Sequence, residues 1–582
     1  MNYILKIDVI SYISYEVLSR LPTRNETKNI LKHIEKTHFL IKLFLKISSI
    51  FINFYTIIFH FKFYQKVDQK NKFLILSKIR KIKILKQDKL FEFFHAIIIL
   101  HTDFFEKEKI VSIKKKNKLN DFFIDNIVIG SGPSGSITAL ELLKNKRKTL
   151  ILEKGDFVRE FRLKHPGQEF LNMWENGGIS ASLGNSQIKY AAAECFGGGS
   201  EINSGLYHFP DKSLIFDLKK KFNIKDISYH GLIKNLKDLN KNLKISRTIT
   251  SSDKISNILI KSSSKLKLKS EIVPRLVDND FKKSSMTNSY LDLFLKRGGK
   301  VSLKSEVIEI VKINNLWQLK YKKNKKTYLI KCNNLFICAG TINTLSLLLK
   351  NKLVKSTKLS DFHFHPMLKV IAKFPKKVNS KFFNISQVQI NHFSPKYIMG
   401  VAASTRSQLK ISSFNNNEMY KKTKKNWQNM IIFHATFSLG KGKIFIFHKK
   451  KQPIVIYNIS KNENKVLNEG LNKLSNFLFS IGAEFIYPMN DLNKIIFKKD
   501  FKNLHLSSPK KFNLSTVHIM GGCPFGENKN KTVLNSYGKL HNFSGIYVND
   551  GSLICGHLLK NPQGTVMALA LRNIKKFISN NK

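Results

Sequence analysis

The spacing of apolar residues changes twice along the chain, and each change predicts a different kind of structure. In residues 1–120, apolar side chains recur at helical intervals, as at Ile75, Ile79 and Ile82, which predicts α-helices. This region contains no glycine and a single proline, so few helix breakers interrupt the pattern. The lysine-rich segment Ser112–Asn120 is typical of a solvated linker, and we expect the helical region to end there.

Beyond residue 121, short β-branched runs alternate with helical stretches, which is typical of an α/β domain. Residues 127–129 and 149–152 are predicted strands that flank a predicted helix. Between residues 351 and about 500, β-like runs alternate with lysine- and asparagine-rich turns, the pattern of an antiparallel sheet. The sequence therefore predicts an α/β (α+β two-domain) fold with a Rossmann-like domain, an antiparallel-sheet domain and an N-terminal helical extension.

The charge of the chain suggests an anionic partner until its distribution is considered. The formal net charge is +60, which in isolation favours nucleic acid or an anionic membrane. Nearly all of the positive charge is lysine, however, and it is spread along the whole length. A phosphate-binding surface would concentrate charge and favour arginine. No nucleic-acid partner is therefore expected, and a basic membrane-surface or nucleic-acid module is the less favoured alternative.

Two further features bear on location and metal content. The apolar run Ile47–Phe61 has 15 uncharged residues, fewer than the roughly 20 that span a bilayer. It predicts a buried or interfacial helix, and it leaves open a peripheral membrane contact through residues 38–64. The five cysteines include no C-x-x-C pair, so no metal site is predicted and a reducing, cytoplasmic location is expected.

A glycine-rich loop provides the first chemical signal. The stretch IVIGSGPSG is a G-x-G-x-x-G pattern between a predicted strand and a predicted helix, and such a loop binds a pyrophosphate at the helix N-terminus. The residues predicted to contact the cofactor are Gly130, Gly132, Pro133, Ser134 and Gly135. Glu153 ends the next strand, where a carboxylate can hydrogen-bond a ribose. The loop indicates a dinucleotide, FAD or NAD, without choosing between them.

Three later motifs narrow the choice. They are CFGGGSEINSGLYHFP from Cys195, LFICAGTINTLSLLL from Leu335, and VHIMGGCPFG…GIYVNDGSLICGHLLKNPQGT from Val517. With the first loop, in this order, they resemble the glucose–methanol–choline (GMC) flavin oxidoreductases. The resemblance extends over roughly residues 121–582 and implies FAD as the cofactor.

The resemblance also implies which residues hold FAD. By position in these motifs they are Gly198, Gly199, Ser200, Asn203, Val307, Gly340, Asp550 and Gly551. Glycines suit this role because a side chain there would collide with the flat ring or the pyrophosphate. No histidine is clearly placed for a covalent flavin bond, so noncovalent FAD is expected.

His518 and Asn561 match the catalytic pair of the family. The resemblance implies that His518 is the general base, because imidazole has a pKa near operating pH. Asn561 would hold the substrate oxygen, and the flanking Pro562 would stiffen its loop. His557 is close in sequence but off the motif. His365 is a candidate for lining the substrate cavity.

The resemblance implies an FAD-dependent oxidoreductase that oxidises the CH–OH group of a small-molecule alcohol by hydride transfer to flavin N5. The electron acceptor would be oxygen, or a quinone or cytochrome. A flavoprotein of the same fold with lyase activity is the alternative enzyme class. The expected FAD-binding domain comprises residues 121–215, 270–350 and 505–582. Residues 216–269 and 351–504 are expected to form the substrate-binding domain.

Overall fold

A computed structural model describes residues 3–82, 87–102, 123–158, 166–249, 253–278, 282–379, 385–448 and 452–581. The predicted linker Ser112–Asn120 lies outside these residues.

Within the described residues the chain forms seventeen α-helices and twenty-one β-strands. The α-helices are α1 (Tyr3–Leu18), α2 (Arg24–Lys36), α3 (Phe39–His60), α4 (Gln69–Lys81), α5 (Gln87–Thr102), α6 (Pro133–Lys144), α7 (Pro166–Met173), α8 (Gly199–Ile202), α9 (Lys212–Phe222), α10 (Tyr229–Asn240), α11 (Lys254–Lys265), α12 (Tyr290–Lys296), α13 (Thr341–Lys350), α14 (Arg406–Ser413), α15 (Asn417–Asn426), α16 (Lys461–Ser480) and α17 (Gln563–Asn580). The strands are β1 (Phe123–Ile129), β2 (Thr149–Leu152), β3 (Ser180–Ala181), β4 (Lys189–Tyr190), β5 (Ser270–Ile272), β6 (Lys300–Ser302), β7 (Ser305–Ile313), β8 (Leu316–Lys323), β9 (Lys326–Ile337), β10 (Phe362–Phe364), β11 (Met367–Lys373), β12 (Val388–Ile390), β13 (Tyr397–Val401), β14 (Met430–Phe437), β15 (Lys441–Phe445), β16 (Ile454–Asn458), β17 (Phe485–Pro488), β18 (Ile496–Phe497), β19 (Ser515–Thr516), β20 (Ile519–Gly521) and β21 (Ile546–Val548).

The first five helices pack around a hydrophobic core of their own, in which Val9, Ile30 and Ile75 are fully buried. A capping box begins α2: the Thr23 hydroxyl accepts from the Glu26 backbone N–H, and the Glu26 carboxylate accepts from the Thr23 N–H. Such a cap satisfies two N–H groups that a helix start otherwise leaves unpaired. The predicted N-terminal helical extension is confirmed.

Helix α3 is longer and more exposed than its sequence suggests. It spans 22 residues, and by length and composition it could cross a membrane, although core helices of soluble proteins and signal sequences share these properties. Only 28% of its 18-residue apolar window is buried, and Leu43, Ile50 and Phe54 are exposed. Of the two predicted alternatives, a buried or an interfacial helix, this exposure fits the interfacial one.

A seven-stranded sheet carries the predicted nucleotide loop. Its strand order is β6-β2-β1-β9-β8-β7, with β21 also paired to β9. Strands β6, β2, β1, β9 and β21 run parallel, whereas β8 is antiparallel to both of its neighbours, β9 and β7. The carboxyl ends of β1, β9 and β21 meet at one edge, where open α/β sheets bind ligands. The predicted Rossmann-like α/β fold is confirmed.

A second sheet of ten strands follows the path β3-β4-β19-β11-β14-β13-β12-β5, with β17 paired to β11 and β18. Its pairs are antiparallel except β4 with β19. Strands β10, β15, β16 and β20 form a smaller sheet. Because β19 begins at Ser515, the antiparallel sheet draws on residues outside 351–504, and the domain boundaries remain a prediction.

Candidate active site

One cavity of about 2820 Å³ is lined by residues of both larger sheets and of helix α5. Typical small-molecule pockets measure about 300–1,000 Å³, so this cavity has room for a dinucleotide together with a substrate. The predicted site residues that line it are Gly130, Gly132, Pro133, Ser134, Glu153, Gly198, Gly199, Asn203, Val307, Gly340, His518, Asp550, Gly551 and Asn561. Gly135 and Ser200 do not line it.

The glycine-rich loop connects β1 to α6. Gly130 has φ +96°, a conformation that favours glycine. A Cβ at Gly135 would lie 2.0 Å from the Gly130 carbonyl oxygen, so only glycine lets helix and strand approach this closely. Pro133 is the first residue of α6, a favourable position for proline. The positive end of this helix therefore faces the cavity.

Glu153, at the end of β2, is hydrogen-bonded to the same loop. One carboxylate oxygen accepts from the Ser131 backbone N–H at 2.9 Å and from its hydroxyl at 2.7 Å. The other oxygen accepts from the Gly155 N–H at 2.7 Å. Burial raises the pKa of Glu153, and these hydrogen bonds oppose that effect. The carboxylate fixes the loop while still lining the cavity.

The second glycine loop packs against the first. Gly198 has φ +58°, and a Cβ there would lie 2.7 Å from the Gly132 Cα. The Ser200 hydroxyl donates to the Gly197 carbonyl at 2.7 Å, which places Ser200 behind the cavity wall. Asn203 donates to the Gln563 side chain at 2.5 Å and thereby joins this loop to the start of α17.

Asp550 follows β21 and joins the ends of two neighbouring strands. Its Oδ2 accepts from the Gly340 N–H at 2.9 Å and from the Thr344 hydroxyl at 2.6 Å. Its Oδ1 accepts from the Ser552 N–H at 2.9 Å and hydroxyl at 2.6 Å. Burial raises the pKa of Asp550, whereas these four donors lower it.

The glycine positions leave room for a bound cofactor. A Cβ added at Gly199 or Gly340 would meet no atom within 4 Å, and one at Gly132 would meet only the Gly198 Cα at 4.0 Å. These glycines therefore face open space in the cavity, beside the N-terminus of α6. The residues present fit a dinucleotide such as FAD.

His518 lies between β19 and β20, where it contacts a second histidine. Its Nδ1 is 3.0 Å from the Nδ1 of His365, which follows β10. The His365 Nε2 is hydrogen-bonded to the Leu558 carbonyl oxygen. Burial lowers the pKa of His518 to about 4 and the pKa of His365 well below its usual value, so both rings are neutral at pH 7.

These partners determine the tautomer of each ring. A carbonyl oxygen only accepts, so the His365 Nε2 carries hydrogen and its Nδ1 presents a lone pair. The His518 Nδ1 must then donate to that lone pair. The His518 Nε2 is left with a lone pair of its own, and it has no hydrogen-bond partner among the described residues. His518 is thus held on the cavity wall with an unprotonated Nε2.

Asn561 reaches the same cavity from the loop before α17. Its backbone N–H donates to the His208 Nδ1 at 3.3 Å, and the His208 Nε2 donates to the Gln389 side chain at 3.0 Å. Burial lowers the pKa of His208 to about 3, in keeping with this neutral ring. The Asn561 carboxamide has no hydrogen-bond partner in the part of the chain that the structure describes.

Two histidines differ from their sequence-based interpretation. His365 is a sequence-based candidate for lining the substrate cavity, but it is fully buried behind His518. The sequence around His365, FHFHP, does not indicate the contact with His518, because β10 and β20 become neighbours only in the folded sheet. His208 was not predicted at all, because its partners are 181 and 353 residues away.

A Rossmann-like sheet whose loops surround a dinucleotide-sized space, beside a histidine with an unprotonated Nε2, is typical of a dinucleotide-dependent oxidoreductase. The chain belongs to the GMC oxidoreductase family, whose N- and C-terminal profiles match residues 170–367 and 448–570. Members of this family bind FAD in general, so the chain is a flavoprotein oxidoreductase. Among the described residues, no group of three or more His, Cys, Asp or Glu side chains is placed to hold a metal ion.

Similar proteins extend over most of the chain. An uncharacterized GMC-type oxidoreductase y4nJ of Sinorhizobium fredii is 25% identical over 77% of this chain and 93% of its own length. The long-chain-alcohol oxidase FAO3 of Arabidopsis thaliana is 24% identical over 77% of this chain and 66% of its own. The crystal structure of pyridoxine 4-oxidase from Mesorbium loti aligns with a TM-score of 0.61, covers 78% of this chain and 99% of its own, and is 12% identical, which shows a shared fold.

Proposed function

We propose that this protein is an FAD-dependent enzyme that oxidises the CH–OH group of a small-molecule alcohol. The observation that carries the proposal is the orientation of His518, whose Nε2 presents a lone pair to the cavity that the nucleotide loop also lines. A long-chain-alcohol oxidase among the relatives supports a CH–OH donor.

His518 is the proposed general base. An aliphatic hydroxyl does not ionise by itself at neutral pH, so its proton must be accepted as the carbon is oxidised. The His518 Nε2 accepts this proton, and the imidazolium that forms keeps its Nδ1–H hydrogen bond to His365. The Asn561 carboxamide donates to the substrate oxygen and stabilises its developing negative charge.

FAD, when bound, supplies the acceptor for the hydride that leaves the alcohol carbon. We propose that it is held noncovalently by Glu153, Asn203, Val307, Asp550 and the glycine loops. The expected FAD-binding segments 121–215, 270–350 and 505–582 contain all of these residues. The name of the oxidase relative supports oxygen as the terminal electron acceptor, with a quinone or cytochrome as the alternative.

Anaerobic addition of alcohols to the purified flavoprotein tests this function. We expect bleaching of the oxidised flavin absorbance by at least one alcohol in a panel of chain lengths, followed by reoxidation with air. A lyase of the same fold would convert its substrate while the flavin stays oxidised. Catalysis without bleaching would therefore disprove the proposal.

We further propose that α3 contacts an anionic membrane surface. Its exposed apolar side chains, including Leu43, Ile50 and Phe54, adjoin Lys42 and Lys46 at the start of the helix. Apolar insertion combined with lysine attraction to anionic lipids is the usual basis of interfacial binding. Phe44, also on α3, lines the cavity, so a membrane-borne substrate would have a short path inward.

Vesicle sedimentation tests this contact. The full-length protein should bind vesicles that contain phosphatidylserine more tightly than neutral vesicles, and Phe54→Glu should weaken binding about tenfold or more. Phe216→Glu is the matched control, because Phe216 is an exposed phenylalanine on α9. Equal binding by both variants and the parent would overturn the proposed role of α3.

A further inference from the structure

Three polar side chains share one face of the ten-stranded sheet inside the cavity. Lys189 on β4 lies directly opposite Ser515 on β19, and Ser515 lies opposite Met367 on β11. Lys369 is two residues further along β11, so its side chain points to the same face as that of Met367. Lys189, Ser515 and Lys369 all line the cavity.

All three groups lack a partner in the part of the chain that the structure describes. The Ser515 hydroxyl is buried without a hydrogen bond, and neither ammonium group pairs with a carboxylate. The negative charge of Glu92, on α5, favours the protonated form of Lys189. However, this carboxylate is already 2.7 Å from the Lys89 ammonium. Lys189 keeps an exposed surface and lines the cavity, and burial lowers its pKa. Burial and the Lys189 charge lower the pKa of Lys369 to about 8.

Such an arrangement is unfavourable without a ligand. Two ammonium groups that line one cavity repel each other, and partial burial removes hydration that no direct ion pair replaces among the described residues. An anion placed between Lys189 and Lys369 would remove the repulsion and accept from the Ser515 hydroxyl.

The cluster lies near the proposed reaction centre. His434, on β14, is the cross-strand partner of Lys369. Burial lowers the pKa of His434 to about 3, and Lys369 and His518 both lie near enough to contribute to this shift. Neighbouring strands are about 4.8 Å apart. A substrate with its hydroxyl at His518 can therefore place a second group at the lysines.

We propose that Lys189, Ser515 and Lys369 bind an anionic group, a carboxylate or a phosphate, carried by the alcohol that is oxidised at His518. This inference rests on the proposed alcohol oxidation and adds the substrate class to it. Lysine suits the task because its ammonium is a compact charge with three donors, which serves carboxylate and phosphate alike.

The test compares three alcohols of equal chain length on the flavin-loaded enzyme. Their far ends carry a carboxylate, a phosphate, or the methyl ester of the carboxylate. Lys189→Met and Lys369→Met should each lower kcat/KM for the anionic alcohols about 10- to 100-fold. The ester should change by no more than about twofold. Lys441→Met, at an exposed position on β15, is the control and should change none of the three.

A binding measurement separates this inference from the proposed function. Calorimetry with an alkyl carboxylate and an alkyl phosphate that lack a hydroxyl should show binding that both lysine variants weaken. If that binding occurs while no alcohol reduces the flavin, the anion site stands and alcohol oxidation fails. If alcohols are oxidised but the lysine variants affect anionic and ester substrates equally, the anion site is wrong. The tighter ligand of the two identifies the anion.

Discussion

The two ends of the cavity are built differently. At the nucleotide end, the carboxylates are fully hydrogen-bonded within the protein: Asp550 accepts from four donors and Glu153 from three. At the substrate end, among the described residues, the His518 Nε2, the Asn561 carboxamide and the Ser515 hydroxyl have no partner. The nucleotide end is thus complete as a structure, whereas the substrate end requires a ligand to complete it.

This difference predicts different consequences of mutation. Substitutions at the nucleotide end should act on cofactor retention and on the free energy of unfolding, because they disturb a closed network of backbone and side-chain hydrogen bonds. Substitutions at the substrate end should act on rate, because its unpaired polar groups contribute little to stability.

The largest effect is expected at Gly132. Gly132→Val should yield folded protein without flavin, because the branched side chain would fill the space where the pyrophosphate approaches the loop. The Gly132 backbone has φ −63°, which any residue adopts, so the variant should fold without backbone strain. Flavin absorbance per polypeptide, measured together with circular dichroism, checks this. A folded variant with stoichiometric flavin would refute the assignment of the loop.

At the substrate end, His518→Ala should retain flavin and lose turnover. A positioned general base contributes typically about 10²- to 10⁴-fold, and kcat should fall by that factor. His557→Ala is the matched control, since His557 is exposed in the loop before α17 and its ring centroid is 4.8 Å from that of His363. Stopped-flow flavin reduction measures both variants. Rates like those of the parent for His518→Ala would show that another group accepts the proton.

The comparison also explains what the sequence can predict. The nucleotide end is made of local patterns: the glycines of one loop, the strand before them and the helix after them all lie within Ile127–Lys144. Such patterns require particular residue types at fixed spacing, because backbone conformation and close approach leave few alternatives. The fold class and the family follow from them, and both are confirmed by the structure and the comparisons.

The substrate end is assembled from residues far apart in sequence. Lys189, Ser515 and Lys369 become neighbours only through the register of β4, β19 and β11. Nothing in a lysine-rich sequence distinguishes these two lysines from the rest. The contact between His365 and His518 likewise joins residues 153 positions apart. The catalytic pair was proposed from family resemblance, whereas its supporting contacts required the structure.

A smaller effect is expected at His365, which acts through His518. His365→Leu removes the acceptor that fixes the His518 tautomer, and we expect kcat to fall about 10- to 100-fold with flavin retained. His365→Gln is the conservative variant, because its carboxamide can accept from His518 and donate to Leu558. Recovery of most of the rate in the Gln variant would support tautomer control. Equal losses in both variants would indicate a purely structural role.

The smallest effect is expected at Thr344, which supports the nucleotide end without touching the substrate. Thr344→Val keeps the shape of the side chain but removes the hydrogen bond to Asp550, and hydrogen bonds to charged groups contribute about 1.5–3 kcal/mol. Chemical denaturation should show a loss of that size, with the rate of flavin reduction nearly unchanged. Thr423→Val is the control, since among the described residues the hydroxyl of this buried threonine donates only to the Met430 sulfur, at 3.7 Å. If Thr344→Val instead lowered the rate and left stability intact, the closed network around Asp550 would belong to catalysis, and the division between the two ends would fail.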